Sequence, residues 1–185
     1  MPTSRPARTR LLEAATQLFS VQGINATGID QVIEHADVAK ASLYNNFSGK
    51  DDLVRAYLER QLDNFETLLR QLEASSEGAT RVDRLFQCLS EAAAKRSFQG
   101  CPFSKAAVEV APQSAPGRTI KRFYARLEAF FARALNLERG DERLRQLVVL
   151  YDGAMTSAKV QRDPKCVDAA LSLARDVAHA RRPTP

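Results

Sequence analysis

The segment TGIDQVIEHADVAKASLYNNFSGKDDL, from Thr27 to Leu53, decides the fold. Thr27-Gly28-Ile29-Asp30 is close to a capping box, with Asp where Glu or Gln is usual, and predicts a short helix over 28–35. Ala36-Asp37-Val38 reads as a break, and a second short helix is expected over 39–45. Two short helices joined by a three-residue turn make a helix-turn-helix, whose second helix can lie in the major groove of DNA with side chains at base edges. The pair needs a small apolar core to hold its angle. Ile29, Val32, Ile33, Ala36, Val38, Leu43 and Phe47 supply one. It also needs a polar outer side, offered by Lys40, Ser42, Asn45 and Asn46 with Tyr44 beside them.

Working outward, Leu11, Ala14, Ala15, Leu18 and Phe19 recur at helical spacing and predict a first helix over 5–22, ended by Gly23. Downstream, Ser48-Gly49-Lys50-Asp51 starts a long helix from Asp51 to Glu73. After a loop at Ser75–Gly78, helices are expected at 80–97, 102–110, 117–136, 141–162 and 164–180. The Ala111–Gly117 segment and Gly140 separate them, and Arg181–Pro185 reads as a frayed tail. No stretch alternates with period two for long. The expectation is an all-α protein of about nine helices: a three-helix DNA-binding domain over 5–66 and a helical body over 67–181.

Composition narrows the chemistry. Apolar residues make up 44% of the 185, and no run approaches the length of a membrane span. The start, Met1-Pro2-Thr3-Ser4-Arg5, lacks the apolar stretch of a signal peptide, so a cytoplasmic protein with no membrane partner is expected. Cys88, Cys101 and Cys166, spaced 13 and 65 apart, match neither a disulfide framework nor a zinc finger. His35 and His179 are the only histidines, so no metal site is expected. No catalytic constellation, phosphate loop or cofactor motif is visible, so neither an enzyme nor a cofactor is expected. The net charge of +5 does not single out the DNA-binding end: residues 1–66 hold seven Lys/Arg against nine Asp/Glu. The argument for DNA rests on the motif, with local bases at Arg5, Arg8, Arg10, Lys40 and Lys50.

Residues 5–66 resemble the TetR family of bacterial repressors, above all in Leu43-Tyr44-x-x-Phe47-x-x-Lys50-x-x-Leu53. The resemblance implies an all-α homodimer whose first three helices bind a double-stranded DNA operator and whose body takes a small-molecule effector of unknown identity. The residues it places at DNA are Thr27, Lys40, Ala41, Ser42, Tyr44, Asn45, Asn46 and Lys50. Tyr44 resembles the family tyrosine that bonds to the DNA backbone, with a semi-buried packing role as the alternative. Lys40 reads as a phosphate or guanine contact or a solvated lysine, and Asn45 can pair with adenine. Lys50 opens a helix, where N–H groups favour a phosphate. Thr27 is expected both to cap the second helix and to touch phosphate. Arg5 and Arg8 read equally as an arm along the backbone or a loose tail. The chain departs from the family in Ala39, where a Ser or Thr cap is usual, in Asp37, where Gly is common, and in Ile33, where a small residue is usual.

In the body, Phe65, Phe86, Phe98, Cys101, Phe103, Phe123, Phe130 and Tyr151 are the candidate effector pocket, with ordinary core packing as the alternative. Arg118, Arg122, Arg126 and Arg133 read most simply as a solvated stripe, with contact to an anionic ligand as the alternative. Residues 141–180, with small residues such as Gly153 and Ala154 among apolar ones, are expected to form half of a four-helix dimer interface, which pairs with a pseudo-palindromic operator. Cys101 precedes a short helix, a setting that can make a thiol reactive toward oxidants or electrophiles, with a buried inert thiol as the alternative.

Overall fold

The structure, a computed structural model, describes residues 5–180; the tail at 181–185 and the last residue of the 67–181 domain lie outside them. Among the described residues there are nine α-helices and no strand. In order they are α1 (Ala7–Gln22), α2 (Ile29–Ala36), α3 (Lys40–Asn46), α4 (Lys50–Ser75), α5 (Thr80–Ala93), α6 (Pro102–Ala107), α7 (Ala115–Leu135), α8 (Glu142–Gln161) and α9 (Lys165–His179). The all-α reading stands.

The chain divides into two compact units, Met1–Asp63 with Pro102–Arg122, and Asn64–Cys101 with Phe123–Pro185. The first unit thus takes in 102–122 as well as the N-terminal helices. There α1 buries Leu11, Ala14, Ala15, Leu18 and Phe19 against α2 and α3. Gly23 ends it in a left-handed conformation (φ 95°), donating its N–H to Phe19 O. Polar bonds tie 102–122 to the same region. Lys105 Nζ donates to Ser20 O (2.6 Å), and Glu109 Oε2 accepts the Asn25 N–H (2.7 Å).

The α7 start lies two residues earlier than the sequence suggested. Pro116 is tolerated in the first turn because N–H groups there have no helical partner. Ser114 Oγ caps the turn by accepting the Gly117 N–H (3.1 Å). Gly117 is required by crowding: a Cβ there would lie 2.4 Å from Ala111 O. The helix expected over 80–97 ends early, at Ala93, and that expected over 102–110 ends at Ala107.

In the second unit α5, α8 and α9 pack together. Leu144, Leu147, Tyr151, Ala154, Met155 and Ala158 of α8 are buried, as are Val167, Ala170, Leu171 and Ala174 of α9. Asp141 caps α8 by accepting the Arg143 N–H. Ion pairs Arg126–Glu66, Arg133–Glu73 and Arg175–Asp83 brace neighbouring helices. Half of the arginine stripe on α7 is therefore paired rather than simply solvated. Arg118 bonds to Gln113 O as well.

At the start of α4, Asp52 accepts the Ser48 N–H (3.1 Å) and pairs with Arg55 (2.6 Å). Arg55 first, then the Ser48 N–H, hold the Asp52 carboxyl below the ordinary 3.8. A lowered carboxylate stabilises the fold above its ordinary value and loses that contribution as pH falls through the lowered one. Asp52→Asn is expected to cost about 1 kcal/mol at neutral pH. The gap in melting temperature between variant and wild type should close as the pH is taken below 3.8. An equal gap at low pH would contradict this role.

Candidate nucleic-acid interface

The recognition helix α3 is seven residues long, so tertiary packing must hold it. Leu43 and Phe47 are buried beneath it, with Val32 and Ala36 of α2. Ile29, Ile33 and Val38 are only half-buried. Asp37 takes the left-handed conformation (φ 50°, ψ 56°) that lets the chain turn between α2 and α3. Asp adopts it at more cost than Gly would. Here Arg10 of α1 compensates: one guanidinium nitrogen donates to both Asp37 O and Asp37 Oδ2, the latter at 2.8 Å. Val38 N–H also returns to Ile33 O (3.3 Å).

Ala39 occupies the N-cap of α3 in extended conformation, and no side chain caps the helix. The outer surface of α3 presents Lys40, Ala41, Tyr44 and Asn45, all exposed, with Tyr44 at 56%. Ser42 is half-buried. Asn46 is half-buried too and folds back, donating its amide to Ser42 O (2.7 Å). Lys40 is not simply solvated. Its ammonium bonds to Asp30 Oδ1 of α2 (2.9 Å), which raises its pKa. Lys50, half-buried, is the first residue of α4.

Two sequence expectations change here. Thr27 does not cap α2: Gly28 is the N-cap and no side chain bonds there. Thr27 is fully buried and donates its hydroxyl to Gly23 O (2.7 Å), so it ties down the α1–α2 turn. The N-terminal arginines are not loose either. Arg5 pairs with Glu13 (2.8 Å), and Arg8 lies over the Phe47 ring at 5.1 Å, a cation–π contact. Two residues of the site went unread in the sequence, Arg10 as the clamp of the turn and Asp30 as the partner of Lys40. A carboxylate at the left-handed position was the only available signal for the first. His35 lies on the surface, bonded to Gln17 (2.6 Å).

In the second unit Phe65, Phe123 and Tyr151 pack ring against ring, with centroids 4.8–6.3 Å apart. Tyr124 abuts Phe123 and shares a hydrogen bond with Asp152, neither of which the sequence singled out. Asp152 Oδ1 is buried without a hydrogen-bond partner, and burial pushes the carboxyl's pKa up. Cys101, buried, bonds with the Tyr151 hydroxyl, whose pKa rises well above normal through burial first. The other candidates scatter. Phe86 and Phe130 are fully buried, Phe130 against Phe131, while Phe98 lines a surface groove and Phe103 belongs to the first unit. The cysteines are all thiols. Among the described residues no three His, Cys, Asp or Glu side chains group as a metal site would, and no helix is long and apolar enough to cross a membrane.

Residues 11–57 match the family model described as bacterial regulatory proteins, tetR family. An uncharacterized HTH-type transcriptional regulator of Bacillus subtilis, YxaF, is 33% identical over 157 residues, covering 81% of this chain and 82% of its own. The crystal structure of a TetR-family transcriptional regulator from Streptomyces coelicolor is 30% identical and superposes with a TM-score of 0.87 over 94% of both chains. This chain belongs to the TetR family. It is a DNA-binding transcriptional regulator of helix-turn-helix type. The repressor NemR of Escherichia coli is 29% identical over 190 residues, covering 95% of each chain. The crystal structure of its reduced form gives a TM-score of 0.78 at 24% identity, covering 92% of this chain and 95% of that one.

The uncapped α3 generates a direct test. Ala39→Ser offers an oxygen to the free N–H groups of the first turn and should add about 1 kcal/mol of stability, read as a higher melting temperature. DNA affinity should rise with it. No change in either would show that the α3 start is already satisfied.

Proposed function

We propose that the protein is a homodimeric repressor that holds a pseudo-palindromic operator through α3 and releases it when a small molecule enters the body. One observation carries this reading: Lys40, Ala41, Tyr44 and Asn45 stand exposed on a short helix whose opposite side is fixed by Leu43 and Phe47. Asn45 and Ser42 would read base edges, Lys40, Tyr44 and Lys50 the phosphates, and Ala41 the thymine methyl. Asn46 would join them by giving up its bond to Ser42 O, and Thr27 supports them from beneath. To reach a phosphate, Lys40 must leave Asp30.

The dimer is supported by α8 and α9. Val149, Val160 and Leu173 are exposed at 64%, 76% and 54%, and Gly153 and Ala169 between them are small and exposed. Pairing these faces in a second copy would cover that apolar surface and space two recognition helices one DNA turn apart. The effector reading is supported by Phe65, Phe123, Tyr124 and Tyr151, with Asp152 offering an unused acceptor. A ligand acts only through its different affinity for the two states of the body.

Selection of bound duplexes from a random pool should return an inverted repeat. With Lys40 and Lys50 on phosphates in each subunit, four in the dimer, log affinity should fall against log salt with a slope of about −4. An asymmetric or unenriched pool, or a slope near zero, would overturn the reading.

Cys101 supports a second reading of the signal, oxidant or electrophile sensing. It sits against the Tyr151 hydroxyl, and the chain passes directly from it into α6, which belongs to the first unit. The relative NemR, whose crystal structure is of a reduced form, supports the same reading. Treated with an electrophile, wild type should release operator while Cys101→Ser stays bound. Equal release would remove Cys101 from this role.

A further inference from the structure

We propose that a groove between the C-terminal ends of α5 and α8 binds a small organic anion, a carboxylate or phosphate on an apolar body, distinct from the effector of the aromatic cluster. The groove has a volume of about 600 Å³, within the range of ligand sites. Four cations line it: Lys95, Arg96, Lys159 and Arg162. No carboxylate does.

The charge is unbalanced. Elsewhere in this unit Arg126, Arg133, Arg143 and Arg175 each pair with Asp or Glu. Among the described residues none of the four groove cations has an ion-pair partner. Lys159 settles for a neutral acceptor, Gln99 Oε1, at 2.5 Å. The last carbonyls of α5 and α8 offset part of this charge, about half an elementary charge per helix end. Against four full charges that leaves a clear surplus. Arg162, left-handed at φ 53°, turns the chain directly into α9, and Pro164, the N-cap of that 15-residue helix, also lines the groove. The positive end of α9 adds little there, because Asp163 Oδ1 already accepts the Lys165 N–H (2.9 Å), and the surplus rests on the four side chains.

The rest of the lining sets the body of the ligand. Ala94, Phe98, Ala158 and Pro164 offer apolar surface. Bare phosphate would leave that surface wet, whereas an aromatic or short aliphatic anion covers it while its charged end displaces Gln99 from Lys159. The Lys159 ammonium then meets a full negative charge in place of an amide dipole.

The full chain, titrated in a calorimeter with phenyl phosphate, benzoate and benzamide, tests this. Both anions should bind and the neutral benzamide should not. Lys159→Gln with Arg162→Gln should weaken both anions by about tenfold or more, with the melting temperature unchanged. Lys95→Gln with Arg96→Gln, on exposed side chains outside any helix, gives the same reading should the first pair disturb folding. Arg139→Gln, a surface change elsewhere in the unit, should leave binding as it was. Equal binding of benzamide, absence of binding by either anion, or undiminished affinity in the groove variants would each overturn the proposal. Operator binding needs no part in the measurement, so the two readings fail separately.

Discussion

A seven-residue helix has no stability of its own in water. Everything the protein does with DNA depends on burying two side chains under such a helix, Leu43 and Phe47, against α1 and α2. That burial also explains why α1 carries so little polar surface on its inner side. Its Leu11, Ala14, Ala15, Leu18 and Phe19 are the floor on which the reading helix rests. Around this apolar contact the polar bonds do a different job: they fix angles. Arg10 pins the turn at Asp37, Thr27 closes the turn at Gly23, and Arg8 covers Phe47 from outside.

The same division of labour recurs in the body. Apolar burial along α8 and α9 supplies the cohesion, and ion pairs between helices set the register. Arg126 and Arg133 are seven residues apart on α7, as are Glu66 and Glu73 on α4. Two helical turns on each side carry the two halves of one brace. Exposed pairs of this kind contribute little stability each. Their value is in selecting one alignment among several that the apolar faces would accept.

Much of this was legible in the sequence, for physical reasons that differ by element. Helices with a continuous apolar face, such as α1 and α4, announce themselves by spacing. Their ends are less plain: Pro116 and Gly117 look like breakers, yet both lie inside the first turn of α7, where a missing N–H costs nothing and a missing Cβ relieves a clash. The exposed side of α3, with Lys40, Ala41, Tyr44 and Asn45, was readable because its residues are local to one motif. Thr27 was misread because a buried hydroxyl and a capping hydroxyl share the same pattern. The pairing of Arg10 with Asp37, and the isolation of Asp152 Oδ1, depend on chain segments far apart in sequence, which no local spacing encodes.

The bond between Lys40 and Asp30 bears on how such a molecule searches a chromosome. If Lys40 contacts phosphate as proposed, an internal carboxylate would compete alike with every phosphate the lysine meets, on random duplex and operator both. It would then lower both affinities by the same factor and leave their ratio intact. Discrimination would stay with contacts to base edges, while idle time on irrelevant stretches would shrink. On that reading, a tether inside the free protein would trade grip for mobility, to the gain of the sliding molecule.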